Sequence, residues 1–145
     1  MEAQPDNMEF LVVDHSKEEG FEAKDTWGKV PVRFIGRVSQ EKMVDLYRQI
    51  DVLFAPSTWP ESFGLVTREA AACGCWVVAS KLGGLSEDVV NNVNGNVIDS
   101  SLHDIDNVLK AISKKGPTFY KEHCCSPSLL NSRDQAKDLI RSYND

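Results

Sequence analysis

The chain has no basic tract and no apolar run near the roughly 18 residues that a membrane-spanning helix needs. Its 145 residues carry a formal net charge of −6, which argues against nucleic acid as a main partner and favours solubility. Met1 to Asp6 is polar and acidic, unlike a secretory signal. No Gly-x-Gly-x-x-Gly follows an apolar run, so the dinucleotide fingerprint is missing. There is no internal repeat, no low-complexity linker and no nucleophile–base pair near a glycine-bearing loop. Cysteine is sparse, with Cys73 and Cys75 flanking Gly74 and Cys124 beside Cys125. Neither pair has zinc-ribbon spacing, and only His123 stands close by. A metal cluster of these groups is the weaker alternative to thiols that pack as small apolar side chains. Free thiols fit a cytoplasmic location.

What the chain does have is one dense central unit. Val52-Leu53-Phe54-Ala55 and Trp76-Val77-Val78-Ala79 are short apolar runs bounded by turn formers, and both read as buried strands. Between them, Leu65 to Cys73 lacks Pro and Gly and is rich in Ala, so it reads as a helix that Gly74 ends. Strand, loop, helix and strand make a parallel βαβ crossover. Its loop meets a helix N-terminus beyond a strand's carboxyl end, where open α/β sheets bind ligands. Gly64 permits close approach to the backbone, and the first helical N–H groups favour an anion such as a phosphate. Glu61 in the loop and Glu69 in the helix add two carboxylates, each able to accept two hydroxyls of a diol. An anion site between two diol-binding groups describes a nucleoside diphosphate sugar. Spacing alone leaves open the plainer alternative, in which Glu61 caps the helix and Glu69 is a solvated surface group.

The rest of the chain alternates in the same way. Glu9 to Val13 is a strand after a frayed start over residues 1 to 8. Asp14 to Lys29 is charged and reads as a loop with at most a short helix. Val32 to Gly36 is a strand, with Pro31 at its start. Ser39 is placed to cap a helix whose apolar face is Val44, Leu46, Tyr47 and Ile50. Lys81 to Leu85 is a turn, Ser86 to Val90 a short helix, and Asn96 to Ile98 a strand. Leu102, Ile105, Val108, Leu109 and Ile112 follow helical spacing, and Gly116-Pro117 breaks that helix. Ser132 opens a last helix carrying Ala136, Leu139, Ile140 and Tyr143. The expectation is an α/β chain with about five strands in a Rossmann-like, mainly parallel sheet and helices on both faces.

Pro56-Ser57, then Glu61-Ser62-Phe63-Gly64-Leu65-Val66, Glu69-Ala70, Ala72-Cys73-Gly74, Val77 to Ser80 and Gly83-Gly84-Leu85 together resemble the donor domain of family 4 (group 1) retaining glycosyltransferases of the GT-B fold. The resemblance runs from about Val32 to Asp99 and more loosely to the C-terminus. Glu61 and Glu69 fall on its E-x7-E motif, and Trp76 stands where the family usually has Pro. It implies that Glu61, the catalytic-site carboxylate, holds donor-sugar hydroxyls together with the backbone at Phe63 and Gly64. It implies that the amides of Leu65 and Val66 receive the diphosphate, that Glu69 holds the ribose and that Arg37 meets the base. Gly36-Arg37 followed by Lys42 is similar to the family's phosphate motif but stands too close to Glu61, and is read as coincidence.

By the same resemblance, residues 1–145 are a single nucleotide-sugar-binding domain lacking its first strand and the acceptor-binding N-terminal domain. The implied ligand is a UDP- or GDP-linked sugar, with no cofactor and no metal. The implied partner is an acceptor-binding domain or subunit, without which this chain alone is inactive. The implied setting is polysaccharide or glycolipid synthesis, in the cytoplasm or at the membrane periphery in the full enzyme. The alternative is a non-catalytic remnant that binds or regulates a partner.

Overall fold

The β-branched and aromatic runs become strands, and the alanine- and leucine-bearing stretches between them become helices. The computed structural model describes residues 7–123. Along them come β1 (Phe10–Val13), β2 (Glu22–Trp27), β3 (Val30–Ile35), α1 (Gln40–Tyr47), β4 (Val52–Ala55), α2 (Leu65–Ala72), β5 (Trp76–Ser80), β6 (Gly95–Ile98) and α3 (Leu102–His123). The strands form two three-stranded sheets, ordered β1-β3-β2 and β4-β5-β6. All pairings in the second sheet are parallel, Val52 facing Trp76 and Val77 facing Gly95. The expected βαβ crossover is therefore present as β4-α2-β5. The chain is an α/β, Rossmann-like fold.

Period-two alternation decides which helix covers which face. From β4 and β5, Leu53, Val77 and Ala79 pack under α1 and α2, with Tyr47, Ala70, Ala71 and the buried Cys75 thiol. Cys75 packs as a small buried group, and its S–H donates to the Tyr47 carbonyl at 3.1 Å. The opposite face presents Val52, Phe54, Trp76 and Val78 to Ile105, Ile112 and Tyr120 of α3. Trp76 is 1% exposed, and its indole N–H donates to Asn96 Oδ1 at 3.0 Å. Its ring lies 5.8 Å from Phe119 and 5.5 Å from Tyr120. A proline could make none of these contacts.

Three expectations need correction. Asp14 to Lys29 contains β2, antiparallel to β3 with Trp27 facing Val30. Its residues are almost all exposed, so no apolar alternation marked it. Ser86 to Val90 holds no α-helix: a single 3-10 turn spans Gly84–Ser86. The buried Asn94 side chain fixes the segment beyond that turn, accepting from the Val90 amide at 2.7 Å and donating to the Asp88 carbonyl at 2.9 Å. Ser39 stands at the N-cap of α1, but its hydroxyl makes no capping bond. Gly116, with φ 72°, breaks the helical path, and helical turns resume beyond it. The expected last helix from Ser132, and Cys124 and Cys125 of the metal alternative, lie outside the described residues.

Replacing Trp76 with Ala should cost about 3–5 kcal/mol, the usual range for deleting a large core aromatic. Urea unfolding of the variant checks this. Burial also pushes the Tyr120 hydroxyl from its ordinary 10.0 up to about 12. Folding thus favours the protonated phenol, so this contribution is complete below pH 10.0 and is lost as pH rises toward about 12. Thermal unfolding should show stability falling across that window, with a smaller fall for Tyr120→Phe.

Candidate functional site

The site is built on main-chain contact. After β4 the chain turns at Ser57, whose hydroxyl donates to the Trp59 carbonyl at 2.9 Å. It then runs beside the Gly83-Gly84 segment beyond β5. Glu61 pairs with Gly83 as an isolated parallel bridge, and the Gly84 amide donates to the Glu61 carbonyl at 2.5 Å. Gly64 is left-handed, with φ 63° and ψ 48°, and it is the N-cap residue of α2. A β-carbon there would sit 2.5 Å from the Gly84 carbonyl oxygen. Only glycine fits both the backbone angle and the space. The Gly64 carbonyl accepts from the Thr67 hydroxyl at 2.8 Å and from the Arg68 amide at 3.3 Å. The Leu65 and Val66 amides stand one and two residues into the helix, where no intrahelical acceptor exists.

Neither glutamate matches the plainer alternative. Glu61 is exposed and does not cap α2 through its side chain. Glu69 is half-buried and engaged at both oxygens, by Gln40 Nε2 at 3.0 Å and by the Tyr47 hydroxyl at 3.1 Å. Burial and then the Glu69 carboxylate hold the Tyr47 hydroxyl above the ordinary tyrosine range, so it stays a donor at neutral pH. A carboxylate offers about four lone-pair sites, so two bonds leave room for a diol.

A cavity of about 970 Å³ brings Glu61, Leu65, Val66 and Glu69 to one lining, with Val38, Gln40 and Tyr47 beside them. Arg37 is not part of it. Its guanidinium reaches out to Glu18 at 2.7 Å, and Lys42 pairs with Glu19 at 2.5 Å. Both cations of the look-alike phosphate motif thus face the loop between β1 and β2. The Phe63 ring lies outside the lining, half-exposed, with the Arg68 guanidinium stacked 4.0 Å from its centre.

Sequence reasoning missed three groups. Gln40 and Tyr47 orient Glu69 across a separation no local spacing reveals. Arg68 stacks on Phe63 and pairs with Glu87 at 2.8 Å and Asp88 at 2.7 Å, tying α2 to the segment after the 3-10 turn. The sequence reading that the chain offers no Asp-x-Asp motif is wrong, since Asp104-Ile105-Asp106 has that spacing. Asp104 accepts from the Asp99 amide and Asp106 pairs with Lys110, so both act at the start of α3. Among the described residues no group of His, Cys, Asp and Glu is placed to hold a metal ion, and no helix is long and apolar enough to cross a membrane.

Comparison with known proteins adds three findings. The family described as "Glycosyl transferases group 1" matches residues 2–115. A D-inositol 3-phosphate glycosyltransferase of Mycolicibacterium smegmatis is 43% identical over 83 residues, 57% of this chain and 18% of that protein. One from Xylanimonas cellulosilytica is 48% identical over 62 residues, 43% of this chain and 15% of that protein. Among solved structures, the sucrose-phosphate synthase of Thermosynechococcus elongatus superposes with a TM-score of 0.65 at 28% identity, covering 78% of this chain and 29% of that one. Anabaena HepE in complex with UDP and glucose superposes with a TM-score of 0.59 at 26% identity, covering 77% and 32%. The matches thus span under a fifth of those curated relatives and under a third of those solved chains.

Gly64→Ala should destabilise the chain by about 1–2 kcal/mol for the left-handed backbone, plus about 1–3 kcal/mol for the clash with Gly84. Gly74 also has positive φ, but open space surrounds it. Gly74→Ala should therefore lose only the backbone part, and urea midpoints of the two variants check the difference.

Proposed function

The chain belongs to the glycosyl transferases group 1 family, and we propose that it forms the donor-binding part of a family 4 retaining glycosyltransferase with the GT-B fold. The observation that carries this reading is the single cavity lined by Glu61, Leu65, Val66 and Glu69 at the N-terminus of α2. Glu61 orients the sugar through its hydroxyls, with the backbone at Phe63 and Gly64 against the ring. The Leu65 and Val66 amides stabilise the departing diphosphate, where fixed dipoles act most strongly on developing charge. Glu69, held by Gln40 and Tyr47, takes the ribose diol. Arg37 keeps its part beside the base only by position. It lies outside the cavity lining, its side chain is committed to Glu18 and its amide donates to the Lys17 carbonyl, which leaves its main-chain carbonyl as the group to meet a base.

A uridine donor is favoured because HepE, which this chain resembles, binds UDP and UDP-glucose. The reaction is transfer of a hexosyl group to an acceptor held by a separate domain or subunit. This chain by itself is expected to bind donor without transferring it, because the second wall of the cleft excludes water and places the acceptor. Polysaccharide or glycolipid synthesis is the setting that such a transferase suits.

The two glutamates separate the parts of this assignment. Glu69→Ala should weaken UDP and UDP-glucose alike, by about 1.5–3 kcal/mol for a lost charge-assisted pair of hydrogen bonds. Glu61→Ala should leave UDP nearly unchanged and weaken only UDP-glucose. NMR shifts at the Gly64 and Leu65 amides read the binding. If UDP, GDP and ADP, with and without sugars, leave those amides unmoved at millimolar concentration, the donor assignment fails. Equal loss of UDP by both variants overturns the division of roles.

A further inference from the structure

Phe63 is held twice, by two residues that both lie outside the cavity lining. Its backbone lies against Gly84. A β-carbon on Gly84 would stand 2.7 Å from the Phe63 carbonyl carbon, 2.8 Å from its α-carbon and 2.9 Å from its nitrogen. Its ring carries the Arg68 guanidinium, 4.0 Å from the centre. Arg68 in turn donates from Nε to Asp88 at 2.7 Å and from Nη2 to Glu87 at 2.8 Å. Those two acids stand three and four residues beyond Gly84. The contacts therefore close on themselves: Gly84 to Phe63, Phe63 to Arg68, Arg68 to the acids, and the acids back along the chain to Gly84. Phe63 cannot shift without sliding off the guanidinium or dragging the 3-10 turn with it.

Core packing does not account for this circuit. The Phe63 ring is 47% exposed and takes no part in the hydrophobic core of the described residues. The Arg68 side chain, by contrast, is only 14% exposed, so the stack is shielded from water on the arginine side. A lysine would meet one acid as a point charge. Only a planar guanidinium stacks on a ring while it forks between two carboxylates. What the circuit fixes is main chain, at Phe63 and Gly64.

We propose that Arg68 is a positioning residue for the donor sugar. It acts through Phe63, holding in place the backbone against which the hexose sits. The nucleotide half is held by other means. Glu69 takes its place from Gln40 and Tyr47, and the Leu65 and Val66 amides take theirs from α2 itself. Arg68 therefore governs affinity for the sugar-bearing donor and not for the bare nucleotide. This inference rests on the donor reading of the cavity.

The test is Arg68→Lys, which keeps the charge and suits the helix but loses the stack and the fork. Without ligand, the Gly84 amide, which donates to the Glu61 carbonyl, should exchange its hydrogen about tenfold faster than in the unaltered chain. UDP-glucose binding, read from the Leu65 amide shift, should weaken about tenfold, while UDP should stay within about twofold. Phe63→Leu removes the ring from the same circuit and should give the same split. The two changes together should cost no more than either alone, because both break one contact. A purely structural Arg68 would lower the urea midpoint and weaken UDP and UDP-glucose alike. An unchanged Gly84 exchange rate overturns the proposal, as does a loss shared equally by both ligands. Additive losses in the double variant overturn it too. If the unaltered chain binds neither ligand, the donor reading fails and the sugar role of Arg68 fails with it. If the unaltered chain binds both and Arg68→Lys alters neither, only the role of Arg68 fails.

Discussion

No side chain fits between the loop ending at Gly64 and the main chain of Gly83-Gly84. That single constraint sets the geometry around it. The Glu61–Gly83 bridge and the bond from the Gly84 amide hold the loop against the segment leaving β5. The left-handed Gly64 then turns the chain into α2, whose first residues Leu65 and Val66 line the cavity. Arg68 closes the arrangement from the other side, stacking on Phe63 while its ion pairs reach Glu87 and Asp88. Exposed ion pairs contribute little in general, but Arg68 is largely enclosed and serves two acids and a ring at once. Loop, helix and turn are thereby fixed relative to one another before any ligand is considered.

The second sheet was legible because burial on both faces leaves a plain signal. Val52 to Ala55 and Trp76 to Ala79 are continuous apolar runs, and no other element suits their length. β2 left no such signal. Glu-Ala-Lys-Asp-Thr-Trp is an edge strand exposed on nearly every residue, and its charged side chains serve solubility rather than packing. The cue that did exist was the Gly28-Lys29 pair between Trp27 and Val30, with Gly28 at φ 66° as a two-residue hairpin turn requires. The segment after Gly84 misled for another reason. Its hydrogen bonds go to the Asn94 side chain, and a long-range polar partner has no period to read.

For the site, motif and fold differed in what they could supply. Glu61, Gly64 and Glu69 could be picked out because loop and helix are contiguous in the chain. Gln40, Tyr47 and Arg68 could not, since each acts on a group that only tertiary packing brings near. The charged look-alike at Arg37 and Lys42 shows the converse. Its spacing matched a phosphate motif, yet both cations face Glu18 and Glu19 and stand away from the cavity.

Glu69 is anchored twice before anything binds. A free glutamate side chain sheds up to about 1.5–2 kcal/mol of rotamer entropy when it is ordered. Here Gln40 and Tyr47 have already selected one rotamer, so folding has absorbed that cost. A ligand reaching the remaining lone pairs meets a carboxylate that needs no rearrangement. The stiffness of that end of the cavity is accordingly a property of how α1 seats on α2, and residues that never touch a ligand can tune its affinity.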